Sequence, residues 1–217
     1  WADFPSVVPF GDGKTLAAHW LQMSAPGTYD YDVHLAISKD GGKTWPTEFI
    51  PHDDGISAEH GFVSMVPRDK DKMFAVWLDG RNTKTIGEDG QKGAMTLHAA
   101  LFDWEGTILE DYELDSRICD CCQTTAETTD EGIIVAYRDR SESEVRDIFV
   151  TRQTAEGWSE PVAVHSDNWL INGCPVNGPQ LAVRGDRVAL AWFTSADNDP
   201  RVNIAFSTDE GKTFSAP

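Results

Sequence analysis

The residues that could carry chemistry fall into two groups. Lys sits mostly in turns, and four of the ten Arg stand in short polar runs at predicted strand ends: Asp79-Gly80-Arg81-Asn82, Arg117 just ahead of Cys119, and Arg138-Asp139-Arg140. A guanidinium grips a carboxylate or sulfate with two parallel hydrogen bonds, so Arg81, Arg117, Arg138 and Arg140 are candidates for holding an acidic ligand. Asp79 and Asp139 are the candidate acid/base carboxylates, and His60, in Glu59-His60-Gly61, is a candidate binding group. The competing reading is structural: each Arg pairs with Asp79, Asp120 or Asp139 and locks its own loop.

The second group is sulfur. Cys119, Cys121 and Cys122 crowd together, and Cys174 follows in Asn172-Gly173-Cys174-Pro175. One reading is a disulfide from Cys174 to one of the three, or a vicinal Cys121–Cys122 bridge, in an exported protein. Another is a thiolate metal site completed by His60 or His19. Cys-x-Cys-Cys is not a standard zinc spacing and no second Cys-x-x-Cys pair follows, which favours the disulfide; a buried free thiol is the remaining alternative. His34, His52, His98 and His165 lie on or beside apolar runs and read as structural. Trp104 and Trp169 have faces that suit a sugar ring, although a Trp in a sheet protein is more often packed between sheets.

These side chains need a scaffold, and composition bounds it. The chain has 217 residues, with 18 basic against 36 acidic, a net charge of −18 and 40% apolar residues. Eight Trp and ten Phe exclude an acidic disordered tail. The acid excess argues against nucleic acid and anionic membrane as partners, since repulsion acts over a Debye length of about 8 Å. No apolar run approaches the roughly 20 residues of a membrane helix. The sequence begins at Trp1 without an initiator Met, from which either a removed leader or a start inside a longer protein is expected.

Self-similarity supplies the architecture. The octet Ser38-Lys39-Asp40-Gly41-Gly42-Lys43-Thr44-Trp45 returns 169 residues later as Ser207-Thr208-Asp209-Glu210-Gly211-Lys212-Thr213-Phe214. Three steps of about 56 fill that offset, near the period of propeller blades. Apolar runs ending in Trp20, Trp77, Tyr137 and Trp192 recur at spacings of 57, 60 and 55, an independent sign of four units. Eroded octets stand at Thr151 to Trp158 and around Asp103-Gly106-Thr107. The first unit reads as strands at Phe4–Pro9, Leu16–Leu21, His34–Ser38 and Glu48–Pro51, and no helical period is sustained anywhere. The expected fold is all-β, with four-stranded antiparallel blades at about 1–56, 57–116, 117–168 and 169–217 of a single domain. In each octet Asp40 or Asp209 accepts hydrogen bonds from its own turn, Gly42 or Gly211 supplies positive φ, and Trp45 or Phe214 packs inward.

The octets resemble the Asp-box (BNR) repeat, and the chain as a whole resembles the sialidase-like β-propellers. That resemblance implies six blades, of which four lie in this chain, so the rest are expected from a longer chain, with an open arc exposing sheet faces and an edge. It implies that Ser38, Asp40, Gly42, Trp45, Ser207, Asp209, Gly211 and Phe214 are structural, on the rim away from the site. It places the strand-two ends and strand-one beginnings at one channel mouth, gathering the Arg, Asp and Cys residues above. It further implies exo-α-sialidase-type hydrolysis of glycans: three Arg on the substrate carboxylate, a Tyr nucleophile activated by Glu, and an Asp acid/base. The first Arg of that pattern corresponds to Asp3-Phe4-Pro5, an acid in its place; Asp30 and Asp32 stand where the acid/base belongs; Tyr137 sits on a strand. The expected ligand is a glycan or an acidic small molecule, with no cofactor or metal, in a secreted or periplasmic protein. The alternative function is a non-catalytic Asp-box propeller that binds a glycan or protein.

Overall fold

The computed structural model describes residues 2–87, 90 and 92–217; Trp1, the expected lead-in to the first strand, lies outside them, as do Glu88, Asp89 and Gln91. Contacts divide the chain into two compact units, one ending at Ser116 and one running from Arg117 to Pro217.

The first unit holds two antiparallel four-stranded sheets, each in sequential order. One comprises β1 (Ala2–Pro9), β2 (Leu16–Met23), β3 (Tyr31–Ser38) and β4 (Thr47–Phe49); the other comprises β5 (His60–Pro67), β6 (Lys72–Asp79), β7 (Thr96–Asp103) and β8 (Ile108–Asp115). In the second unit β9 (Thr125–Thr128), β10 (Ile133–Arg138) and β11 (Ile148–Thr154) form a sheet whose outer position is split between β12 (Gly157–Trp158) and β13 (Val162–Ala163), both paired with β11. Its other sheet has three strands, β14 (Gln180–Arg184), β15 (Arg187–Thr194) and β16 (Arg201–Ser207). The all-β expectation and the four sheets are therefore present, with three to five strands per sheet instead of a uniform four. Helix among the described residues amounts to two single turns of 3₁₀ type, Arg81–Lys84 and Ala196–Asn198.

Strand character follows from pattern. β2 alternates, burying Ala17, His19 and Leu21 on one face, whereas β6 and β10 are apolar almost throughout and buried on both faces. The first unit closes around Phe10, Leu21, Leu35, Met73, Trp77 and Phe102; the second closes around Ile134, Ile148, Val150, Leu190 and Trp192. On β16 the alternate residues Val202, Ile204 and Phe206 are exposed along one face.

The two full octets fold alike, each at the end of the third strand of its sheet. Ser38 Oγ donates to Asp40 Oδ1 at 2.8 Å, and that oxygen also accepts from the Lys43 and Thr44 N–H groups while Oδ2 accepts from Thr44 Oγ at 2.7 Å. Ser207, Asp209 and Thr213 repeat the set at 2.7, 2.9 and 2.6 Å. Between β7 and β8, Asp103 keeps a reduced form, accepting from the N–H groups of Glu105 and Thr107.

β1 and β5 share a bulge near their beginnings. The register slips between Asp3 and Ser6 and again between Gly61 and Ser64, with Phe4 at φ 47° and Phe62 at φ 54°. A bulge re-aims the side chains beside it, and in β5 it follows directly on His60-Gly61.

Candidate functional site

The hairpin of β5 and β6 sets His60 opposite Asp79, the last residue of β6. The connection from β4 to β5 folds back over them, bringing His52 and Asp54 into the same cluster. His60 Nε2 lies 2.9 Å from Asp54 Oδ2 and 3.5 Å from Asp79 Oδ1, while Nδ1 faces the Tyr31 carbonyl at 3.3 Å and Asp32 Oδ1 at 3.5 Å. The His52 ring stacks on His60 with centroids 3.9 Å apart and accepts from the Val33 N–H through Nε2. Burial, and then the neighbouring His60, draw His52 down to about 3, against the pull of Asp54 and Asp79, so it is a neutral imidazole at ordinary pH.

Asp79 is the anchor. It has no exposed surface, and it accepts from Trp77 Nε1 at 2.9 Å and from Arg81 through the backbone N–H, Nε and Nη2 at 3.0, 2.8 and 2.7 Å. Burial pushes its carboxyl up, but the Arg81 hydrogen bonds, His60 and the Trp77 N–H outweigh that and hold it far below the usual carboxylate range. Gly80 makes the turn possible: its N–H donates to the Glu59 carbonyl at 2.7 Å, where a Cβ would collide.

Above this cluster opens a cavity of about 590 Å³ lined by Ser24, Asp32, His52, Asp53, Asp54 and Ile108, among others. Asp32 and Asp54 are the carboxylates shared by the cavity and the cluster beneath; their side chains are 19% and 6% exposed. Beside them, Tyr31 Oη donates to Glu59 Oε1 at 2.6 Å, and burial, then Glu59, push the phenol up. Asp32, His52 and His60, or Asp54, His60 and Asp79, could converge on a cation, their donor atoms lying within 4.8 Å of one another in each set. Arg81 already supplies positive charge there, bound to Asp79 and 3.4 Å from Asp54, so the second set has a cationic partner of its own.

The remaining residues singled out in the sequence belong to the second unit. Arg138 does not reach a ligand surface: it is 1% exposed, donates to the carbonyls of Asn177, Arg146 and Phe193, and lies 5.0 Å from the Trp169 ring, so that Trp is not a free sugar platform. Arg140 is held by Asp120 at 2.8 Å and by Glu144 at 2.8 Å, so loop locking describes Arg81 and Arg140 alike. Arg117 is half-buried, and Asp139 is half-buried with its backbone bridged to Ile118 and its N–H donated to Asp147. Cys121 is bonded to Cys174 with their Cα atoms 6.1 Å apart, and Cys119 and Cys122 are buried free thiols. With Cys121 committed, the trio of neighbouring sulfurs is not an intact ligand set.

Asp54 was not singled out in the sequence, and His52, read there as structural, also lines the cavity. The run His52-Asp53-Asp54-Gly55 was the available signal, a dense polar stretch in the connection between two units.

No protein-family model matches this sequence, and neither does any curated protein sequence. Solved structures do match. A protein of unknown function from Dyadobacter fermentans superposes with a TM-score of 0.64 at 16% identity, over 93% of this chain and 51% of that one. A sialidase from Streptococcus pneumoniae gives 0.61 at 8% identity, over 99% and 51%. An α-L-arabinofuranosidase from Fusarium graminearum gives 0.60 at 16% identity, over 100% and 65%. The chain thus spans about half to two thirds of the length of these proteins. At such identities the likeness concerns fold alone, and it supports a sialidase-like, glycosidase-type propeller fold.

Proposed function

We propose that this chain carries the catalytic surface of a glycoside hydrolase, with the cavity of the first unit as its sugar site. The observation that carries the reading is the pair Asp32 and Asp54, two carboxyl groups that line one cavity yet are anchored from below by a single buried imidazole. Glycosidic bond cleavage needs one carboxyl group to protonate the leaving oxygen and a second to face the positive charge that develops on the sugar. Asp54, fixed by His60 and Arg81, suits the second role, and the more exposed Asp32 suits the first. His60, Asp79 and Arg81 are then positioning residues. Three Asp side chains on the wall and Arg81 turned to Asp79 favour an uncharged glycan over an anionic one. The fold likeness to sialidases and an arabinofuranosidase supports a glycan as the ligand class.

One observation favours the exo-α-sialidase reading instead: the Tyr31 and Glu59 pair has the composition of a Tyr nucleophile and its base. A panel of aryl glycosides, containing a sialoside, an α-L-arabinofuranoside and a β-xyloside, separates the two. Asp32→Asn and Asp54→Asn should each lower kcat/KM on an uncharged member by about 10²- to 10⁴-fold. Turnover of the sialoside alone, abolished by Tyr31→Phe, would establish the second reading. Binding of oligosaccharide without turnover of any member would favour a carbohydrate-binding propeller.

A further inference from the structure

The sulfur cluster of the second unit is not used by the glycan site. Cys119 Sγ lies 3.3 Å from Cys122 Sγ and 4.0 Å from Cys121 Sγ, and it accepts a hydrogen bond from Arg146 Nη1 at 3.1 Å. Cys119 and Cys122 are shut away from solvent, Cys121 is half-buried, and Cys174 is exposed on its loop. The two loops are tightly seated: a Cβ at Gly178 would run into the Gln123 carbonyl, and Arg138 Nε donates to the Asn177 carbonyl.

Charge around the sulfurs is unusual. Arg138 and Arg146 are buried side by side, the Arg138 hydrogen bonds to Asn177, Arg146 and Phe193 all end on neutral carbonyls, and Arg146 shares Glu144 with Arg140. A buried guanidinium is costly without a counter-charge, and the nearest groups able to provide one are the sulfur pair and Asp147. The two sulfurs stand within hydrogen-bond distance, and the Arg146 guanidinium donates to Cys119 Sγ. The Cys122 hydrogen bond, then the Cys121 N–H and Arg146, draw Cys119 down to about 6 against its desolvation, while the same bond and burial push Cys122 up.

We propose that the four cysteines form a thiol–disulfide relay, in which Cys119 moves one disulfide between the outward Cys121–Cys174 pair and the inward Cys119–Cys122 pair. The Cys119 thiolate attacks Cys121 Sγ; a Cys119–Cys121 bond forms, the Cys121–Cys174 bond breaks, and its electron pair leaves on Cys174. Cys122 gives up its proton and attacks Cys119 Sγ, forming the Cys119–Cys122 bond and releasing Cys121 as thiolate. One disulfide is broken for each one formed, so no oxidant or reductant is needed, and the proton that began on Cys122 ends on Cys121 or Cys174. The outward product is a dithiol with an exposed Cys174, the form that would exchange with a disulfide of another molecule.

The test is alkylation of the native full chain with N-ethylmaleimide, without reductant, followed by tryptic mapping. Cleavage at Arg117 and Arg138 puts three of the cysteines on residues 118–138, and cleavage at Arg152 and Arg184 puts Cys174 on 153–184. Wild type should lose the link between these peptides and gain two labels, on Cys121 and Cys174. Cys122→Ser should stop after the first exchange, with a label on Cys174 and none on Cys121. Cys119→Ser should keep the peptides linked, releasing Cys174 at least about tenfold more slowly. Labelling of Cys119 or Cys122 while the link persists in wild type overturns the relay, a result that needs no variant to fold. So does equal release from Cys119→Ser, or four free thiols with stoichiometric zinc or copper in the purified protein.

Discussion

At the scale of single residues, Asp79 explains most about the first unit. It joins the Trp77 indole, the Arg81 guanidinium and the His60 imidazole, accepting from Trp77 Nε1 and from three N–H groups of Arg81. Asp79→Ala should therefore destabilise the fold by about 3 kcal/mol, the penalty for stranding a buried charged donor set. A urea midpoint that moves by the equivalent of less than about 0.5 kcal/mol would show that Arg81 has found another acceptor. Asp79, Arg81 and His60 could be grouped from the sequence because each sits at a strand end that the repeat locates. Their orientation stayed open between ligand binding and loop locking: Arg81 turns back on the acid two residues before it, as the second reading had it, while Arg138 turns inward to carbonyls, which neither reading had, because loop backbone conformation decides where a long side chain goes. Asp54 was hidden, and the place of His52 at the site with it, for a related reason: they reach the site only when the β4 to β5 connection folds over His60.

At the scale of elements, the octets show how much a short motif determines. Strands read at Leu16–Leu21 and His34–Ser38 extend to Leu16–Met23 and Tyr31–Ser38, and the turn between β3 and β4 lies where the Ser-x-Asp spacing puts it. This was legible because the hydrogen bonds that Asp40 and Asp209 accept are local, coming from groups within four residues. The outer strands were less so; β12 and β13 are two residues each and have no period to read. The turn carboxylates also make a pH prediction. Thr44 N–H and hydroxyl and Ser38 draw Asp40 down to about 2, and Thr213 and Ser207 do the same to Asp209. A folded value below the unfolded 3.8 means the stabilisation is whole above pH 4 and is lost as pH falls from there towards 2. Asp209→Asn, which cannot accept from the Thr213 hydroxyl through its amide nitrogen, should flatten that part of the curve. An unchanged acid profile for this variant in chemical denaturation would remove the turn from the account.

At the scale of the whole chain, the two units should respond differently to acid. Buried histidines with depressed values belong to the first: desolvation draws His19 to about 4 and His52 to about 3, and His98 is also lowered. The His19 Nδ1 atom is buried without a hydrogen-bond partner, so protonation there gains nothing from the fold. Between pH 6.5 and 4 the unfolded chain binds protons at these positions that the folded unit refuses, so folding stability falls as pH falls through that window. The loss is about 3 kcal/mol for His19 by the time its folded value is reached, and larger for His52, whose folded value lies lower. The second unit has its depressed groups lower, with Glu144 held to about 2 by Arg140, then Arg146, and Asp209 held as above. Apart from the Cys119 thiol, whose contribution is already lost by about pH 6, its losses begin below about pH 4.5, where unfolded carboxylates protonate. Hydrogen exchange followed by mass spectrometry at stepped pH should show peptides from residues 2–116 losing protection near pH 5 while those from 117–217 keep theirs. His19→Gln should move the first transition to lower pH and leave the second in place. Loss of protection in both units at a single pH would mean that they unfold as one, and that the buried histidines do not set the acid limit of either.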